Sequence, residues 1–539
     1  MADFLARLSS HFGVRFLIQI ATAYGIGQGI IESVTGFASA YVYTDPLPSG
    51  FDLAATRIAA LSGISGLPWI AKPLFGFLSD CVPIFGLRRT PYIIIASLLG
   101  TLGFGLLALL RPGTSLSPLG AAFLLGLGSL SIACPDVMID ATVAEASQRT
   151  PALATDLQSF LWAAYGSCEI MASLIKGPLL VRLGARPLLG LLGVASIATA
   201  VPASLGWLGE RPLPTVLRGH QKRASQRHYL LGLVVVAGAV AQVAVGVLLP
   251  SLATLGATAV VGFVCVAVWR VEHAKAPRFA RAAIFLFLDG ALSPSTGTVL
   301  FKWYKATPDN CARGRPCFEP PLIGWLDLAT QISYLVGVVA YNRWLSHLSY
   351  RAIFVGAHLL LCASAFVTLI WVGRWNLRVG VPDPAFALAD NLLPLIGRFL
   401  KIPKFVLAAR ACPPEAAATT FAILMMLYNF GGQVSGYAGI GLLQLLGGVE
   451  PPEFRHLERM VVSQALLKLL PIAAVWLLVP PGEGPRTPDP VLVVDADQDA
   501  DAEGPPSVPT EVGEGSAAGA DADGRREKSN DQRPEVALL

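Results

Sequence analysis

The sequence predicts an all-α, polytopic membrane protein of about fourteen spans. Composition is the first reason. Of 539 residues, 54% are hydrophobic and only 14% are charged, with a mean hydropathy of +0.59. A soluble core of this size does not need so little charge. The second is that apolar runs of roughly 18 to 28 residues recur along almost the whole length, each long enough to cross hydrocarbon as a helix. The third is negative: the alternation over about ten residues that marks membrane barrel strands is missing.

The first run, about 14–43, carries Glu32 near its middle and follows a short N-terminal segment, 1–13. No cleavable leader is visible there, so insertion led by the first span is expected. Runs at about 54–79, 90–110, 117–143, 155–182 and 187–209 complete a block of six, 14–209. The fourth ends in acidic residues, and the fifth contains Trp162, Tyr165, Glu169 and Lys176.

Two basic linkers then enclose a pair of extra spans within 210–281, near 229–249 and 252–269. The first linker contains Arg211, Arg218, Lys222, Arg223 and Arg227; the second contains Arg270, Lys275, Arg278 and Arg281. A second block of six, 282–479, has spans near 282–303, 321–342, 351–373, 385–409, 415–446 and 459–479. An even inserted pair leaves the orientation of this block unchanged. Termini on the cytoplasmic side place the excess of Lys and Arg inside.

After Pro480 the composition turns to Asp, Glu, Gly, Pro and Ala. Segment 480–539 buries too little apolar surface to offset chain entropy, and a disordered acidic tail is expected.

The blocks look like a weak duplication. Aligning Gly184 with Gly447 brings Tyr165 onto Tyr428. The stretch Asp80–Arg89 then has a counterpart from Tyr341-Asn342-Arg343 through Arg351. Paired halves with a cavity between them are a recurrent carrier design.

Ionisable residues at membrane depth mark candidate sites, because each must face protein or water. Asp136 and Asp140 lie one turn apart on one helix face, with Glu145 at its end, and Lys72 on a neighbouring span is their natural counter-charge. Two readings stay open: an ion pair that only fixes packing, or a proton-linked gate whose carboxylates raise each other's proton affinity. Glu32, Glu169 and Asp289 have no sequence-local partner. The tenth core span carries Asp390, Arg398, Lys401 and Lys404; Arg398 suits a carboxylate held by a fork of two hydrogen bonds, and Lys404 is expected to snorkel to the surface. Trp162, Tyr165, Trp325 and Tyr428 offer flat faces, as ligand platforms or as packing.

Other chemistry is disfavoured. No G-x-x-x-x-G-K-[ST] loop occurs, which disfavours ATP-driven pumping. The histidines are scattered, and no cysteine pair has metal spacing, so neither a metal nor another cofactor is expected. An enzyme and a nucleic-acid partner are likewise not expected. Cys81, Cys134, Cys168, Cys265, Cys362 and Cys412 read as small thiols in or beside spans, whereas Cys311 and Cys317 share one polar loop and are a disulfide candidate.

The most distinctive stretch is W-I-A-K-P-L-F-G-F-L-S-D-C-V-P-I-F-G-L-R-R-T-P-Y, residues 69–92. An Asp closing one helix and Gly-x-Arg-Arg opening the next resemble the loop between helices two and three of the major facilitator superfamily, with a longer spacing from Asp80 to Gly86. The whole stretch resembles the signature of the folate–biopterin transporter family within it. P-D-V-M-I-D-A-T-V-A-E-A (135–146), A-A-R-A-C-P-P-E-A-A-A-T-T-F-A (408–422) and Tyr428-Asn429-Phe430-Gly431-Gly432 are similar to further motifs of that family.

The resemblance implies a major facilitator-type carrier of two six-helix bundles, moving folates or other pteridines by alternating access with proton coupling. It implies gating and coupling roles for Asp80, Arg88, Arg89, Asp136, Asp140 and Glu145, and a functional Lys72. The chemistry of a folate then suggests that Glu32, Glu169 or Asp289 reads the pterin. Trp162, Tyr165 and Tyr428 stack on it, and Arg398 with Lys401 holds the glutamate tail. A small-molecule substrate, protons, the bilayer and a monomeric state in a plasma or organelle membrane are expected. The inserted pair and the Cys311–Cys317 loop resemble longer, protist-type members, so another solute such as S-adenosylmethionine, or a non-transporting receptor, stays open.

Overall fold

The computed structural model describes residues 2–210, 212, 226–412 and 417–486. Arg211, Arg218, Lys222 and Arg223, residues 413–416 of the late motif, and the tail from 487 onward lie outside them.

Every named element among the described residues is helical. After a short α1 (Ala2–Phe12) come α2 (Val14–Thr44), α3 (Ala55–Cys81), α4 (Thr90–Leu109), α5 (Pro118–Arg149), α6 (Ala154–Leu183) and α7 (Ala185–Ser204). The inserted pair is α8 (Gln226–Leu248) and α9 (Ala253–Glu272). The second block contains α10 (Pro277–Ala291), α11 (Gly297–Tyr304), α12 (Pro320–Leu345), α13 (Tyr350–Val372), α14 (Asp383–Asp390), α15 (Leu395–Ala411), α16 (Ala417–Leu446), α17 (Leu457–Leu467) and α18 (Pro471–Leu478). Ten spans among the described residues are long and apolar enough to cross a membrane.

Local chemistry explains the boundaries. Ser117 caps α5 by accepting from the Gly120 amide at 3.0 Å, with Pro118 in the first turn, where its missing N–H costs nothing. Gly184, at φ 83°, turns the chain between α6 and α7 in a conformation that side chains with a Cβ rarely adopt.

Three expected single spans are interrupted. The span near 282–303 breaks at 292–296, around Pro294. Its freed backbone is satisfied from neighbours: the Ser295 amide donates to Ser435 O at 3.0 Å, Ser435 Oγ to Ser293 O at 2.6 Å, and Gln464 Nε2 to Pro294 O at 3.1 Å. The tenth core span breaks at 391–394 before Pro394, where Ser333 Oγ donates to Leu392 O at 3.0 Å. The last breaks before Pro471. Irregular backbone survives at membrane depth only when protein or water takes its polar groups.

Within the first block α4 packs on α5 and α7, and α2 on α6; within the second α10 packs on α16, and α13 on α15 and α17. The blocks meet through α6 with α12 and α3 with α16. Both meetings are close. A Cβ on Gly177 of α6 would collide with Pro320 O and lie 2.6 Å from Pro321 Cα, at the start of α12. Pro73 cannot donate to Trp69 O one turn back, and that carbonyl takes Asn429 Nδ2 of α16 at 3.4 Å instead. The inserted α8 lies along α3 and α16, and α9 along α10 and α16. Tyr437 of α16 fills the three-helix junction, its hydroxyl donating to Ala60 O at 3.2 Å.

Candidate functional site

The middle of α2 is wound as a π-helix from Thr22 to Glu32, a geometry frequent at functional sites. Its wide turns carry Tyr24, Gln28 and Glu32 at steps of four. Lys72 of α3 is bonded to Asp136 of α5, and Gln28 donates to the other oxygen of the same carboxylate. Tyr24 donates to Asp140. The two aspartates therefore divide: Lys72 bonds Asp136, while Asp140 bonds a phenol. Lys72 also lies 4.4 Å from the Trp69 ring centre.

Glu32 has Lys72, Asp136, Glu169 and Lys401 as its charged neighbours. Glu169 has Tyr165, Lys176, Arg398 and Lys401 as its polar and charged neighbours. Two carboxylates of the first block thus face two cations of the second. Arg398 stacks over the Tyr334 ring at 4.0 Å, and its Nε is buried with no hydrogen-bond partner among the described residues. Trp162 stands edge-on to Tyr24 and Tyr165, at 6.4 and 5.7 Å between ring centres. It is 44% exposed, and Trp325 is 54% exposed. Tyr428 packs edge-on against Phe405 at 5.6 Å.

Two expectations need correction. Lys404 does not snorkel: it is 5% exposed and bonded to Asp289. Asp289 offers no free carboxylate to a pterin, because Lys404 takes Oδ2 and His358 Nε2 lies 3.0 Å from Oδ1. A buried cation and a buried anion on facing helices neutralise each other, removing both from the roles their spacing suggested.

Asp80, Arg88, Arg89 and Glu145 do gather. Arg89 grips Glu145 with both terminal nitrogens, Nη1 at 3.1 Å from Oε2, and Arg88 lies 3.8 Å from Asp80 and 3.7 Å from Glu145. Glu210 accepts from the Arg88, Arg89 and Thr90 amides at 2.5, 3.0 and 3.0 Å, placing an anion on the N-terminus of α4.

At the opposite ends of the helices, bonds between the blocks cluster. Lys305, just beyond α11, is bonded to Asp45 and donates to Thr44 Oγ1 at 2.9 Å. Lys302 lies 3.0 Å from both Glu450 and Leu53 O, while Glu450 accepts from the Ala55 amide at 2.6 Å. Lys176 of α6 pairs with Asp327 of α12 at 2.8 Å. Cys311 and Cys317 are disulfide-bonded, with Cα atoms 5.2 Å apart. Between them and α11, Asn310 Nδ2 donates to the carbonyls of Lys302 and Lys305, both at 2.9 Å. The sequence reading missed this latch, because its partners come from helices and loops far apart in the chain. It also missed His358, whose signal was an imidazole in mid-span.

Against known proteins, the chain matches the BT1 family over residues 33–484. "Probable folate-biopterin transporter 2" of Arabidopsis thaliana is 27% identical over 92% of this chain and 89% of its own length. "Folate-biopterin transporter" of Synechocystis sp. is 29% identical over 88% of this chain and 83% of its own. In fold, the POT family transporter PepTSo superposes with a TM-score of 0.60 at 16% identity, over 86% of this chain and 97% of that one. The nucleoside transporter NupG gives 0.54 at 13% identity, over 87% of this chain and 98% of that one. With the helices, blocks and family match in hand, the chain belongs to the BT1 family of multi-pass membrane transporters.

Proposed function

We propose that the chain is a proton-coupled secondary carrier of folates or other pteridines working by alternating access. The observation that carries this reading is the pair of facing walls at the centre: Glu32 and Glu169 on one block, Arg398 and Lys401 on the other. A pterin's amino and ring N–H groups suit carboxylate acceptors, and a glutamate tail suits a guanidinium with an unpartnered N–H. Tyr165, Tyr334 and Tyr428 supply aromatic faces beside these charges. The names of the relatives point to the same solutes.

The latch of Lys305–Asp45, Lys302–Leu53 O, Glu450–Ala55 amide and Lys176–Asp327 draws the blocks together at one end, which fits one closed face of a rocking carrier. Asp80, Arg88, Arg89 and Glu145 occupy the opposite end as a gate, while Lys72, Asp136 and Asp140 join it to the centre. The excess of Lys and Arg supports cytoplasmic termini, and a monomer suffices for the site.

The test is uptake of labelled folic acid and of biopterin into vesicles carrying the full chain, with and without a pH gradient. Arg398→Gln should lower folate uptake well below that of biopterin, which lacks the anionic tail. Equal losses for both would remove the tail assignment. An acidic wall also suits a cationic solute, so S-adenosylmethionine belongs in the competition panel. Binding without uptake would indicate a receptor.

A further inference from the structure

Three helices of the second block converge on one buried cluster outside the central walls. Asp289 of α10, His358 of α13 and Lys404 of α15 are 6%, 1% and 5% exposed. Asp289 Oδ2 is bonded to Lys404, and Oδ1 lies 3.0 Å from His358 Nε2. An ionised Asp289 therefore has the Nε2–H of His358 pointing at it, which leaves Nδ1 as the bare acceptor of the ring. That Nδ1 is buried with no hydrogen-bond partner among the described residues.

We infer that His358 Nδ1 is a proton-binding site of the transport cycle, coupled through Asp289 and Lys404 to an anion held at Arg398 and Lys401. The inference rests on the carrier reading above and assigns its coupling residue.

The charges balance simply. With a neutral imidazole the carboxylate and the ammonium cancel, and the cluster carries no net charge. Hydronium delivers its proton to the Nδ1 lone pair and leaves as water, no bond within the cluster breaks, and the cluster becomes singly positive. Lys404 lies on the same helix as Lys401 and Arg398, roughly one and two turns away. Added positive charge there favours an anion beside Lys401, and by reciprocity a bound anion favours the proton. Tyr428 faces the cluster from α16, its ring 5.8 Å from the Lys404 ammonium, and Lys401 is the nearest cation along α15. Of these side chains the imidazole is the one whose ordinary range spans neutral pH, which makes it the group assigned the change. A sealed Nδ1 cannot take a proton without a donor path, so protonation belongs to a conformation in which α10, α13 and α15 shift and admit water. That requirement ties the proton to the rocking motion.

The test uses the full chain in lipid nanodiscs with folic acid as probe. In histidine-labelled protein, the His358 nitrogen signals are those lost in His358→Gln. They should change protonation state across a pH series, and folic acid should move that change to higher pH. Signals held in one state throughout, with and without folic acid, would overturn the proposal. In a second arm, folic acid should bind the native protein about tenfold tighter at low pH than at neutral pH, and His358→Gln should flatten that ratio. An unchanged ratio in a variant that melts as a folded protein also overturns it. If native protein binds no folic acid at either pH, the folate reading of the carrier fails. The titration in the first arm then decides the proton site by itself: a titrating His358 supports it and a silent one removes it.

Discussion

Lys176 and Asp327 meet at 2.8 Å across the two blocks, but on unequal terms: the lysine side chain is 4% exposed and the aspartate 41%. Removing the exposed partner strands a buried ammonium, left with Ser33 Oγ at 3.2 Å and the Phe37 ring at 5.2 Å. Removing the buried partner leaves a carboxylate that water can solvate. Asp327→Asn should therefore destabilise by several kcal/mol, toward the roughly 3–5 kcal/mol of an uncompensated buried charge. Lys176→Met should cost less than about 1 kcal/mol. Melting in detergent checks the order, and a milder Asp327→Asn would show that Lys176 finds water.

Gly177 sits beside that pair, with backbone atoms where its side chain would be. An added Cβ would collide with Pro320 O and meet Pro321 Cα at 2.6 Å, and a helix start cannot yield as a flexible side chain can. Gly177→Ala is expected to wedge α6 from α12 and open the latch end. Spin labels at Ser49 and Glu453, in a background without reactive cysteines, should move apart. An unchanged separation would mean that the strain is absorbed inside one block.

Much of this was legible before any coordinates. The length of the apolar runs and charge scarcity identified the class, and the 69–92 stretch with the acidic end of α5 identified the relatives. Lys72 then met Asp136, the counter-charge that the acidic turn of α5 suggested, whereas the grip of Arg89 on Glu145 was not anticipated. What the sequence could not convey was pairing between helices far apart in the chain. Asp289 and Lys404 are 115 residues apart, so nothing local marks one as the other's counter-ion. The breaks at 292–296 and 391–394 were hidden for a related reason: a proline in an apolar run reads as a kink until donors such as Ser435 and Ser333 are seen to satisfy the opened backbone.

The Lys72–Asp136 bond makes a separable prediction. Asp136→Asn alone leaves the Lys72 ammonium with the Trp69 ring at 4.4 Å, a neutral amide and the carboxylates of Asp140 and Glu32 in its surroundings, and should destabilise by at most roughly 3–5 kcal/mol. Lys72→Gln combined with Asp136→Asn removes both charges and should recover part of that loss, since an amide pair can keep a hydrogen bond at this depth. Transport should stay impaired in the pair if the charges serve the cycle. A double variant that transports normally would reduce the bond to packing.

Asn310 makes a local prediction about the latch. It is 3% exposed and ties down the carbonyls of Lys302 and Lys305, the residues whose ammoniums reach Glu450 and Asp45. Asn310→Ala leaves two carbonyls without that donor and should cost about 1–3 kcal/mol. Both lysines should also become more reactive toward an amine-directed acylating reagent, located by peptide mapping. A melting loss without added reactivity would separate the loop's fold from the latch.

The latch should also respond to pH, in a direction that linkage fixes. Burial pulls the Lys305 ammonium below the usual lysine range, and Asp45 offsets only part of that pull. With the latch open and the amine in water, Lys305 regains an ordinary value of about 10.4. The closed form thus holds its proton less tightly than the open form, and raising pH through the window just below about 10.4 favours closure. In Lys305→Arg the guanidinium stays charged throughout that window, and the dependence should vanish. The Ser49–Glu453 label separation, followed from about pH 7.5 to 10, should shift toward the shorter distance in the native chain and stay flat in the variant. Opening under alkali would mean instead that attraction to Asp45 outweighs the cost of burying the amine.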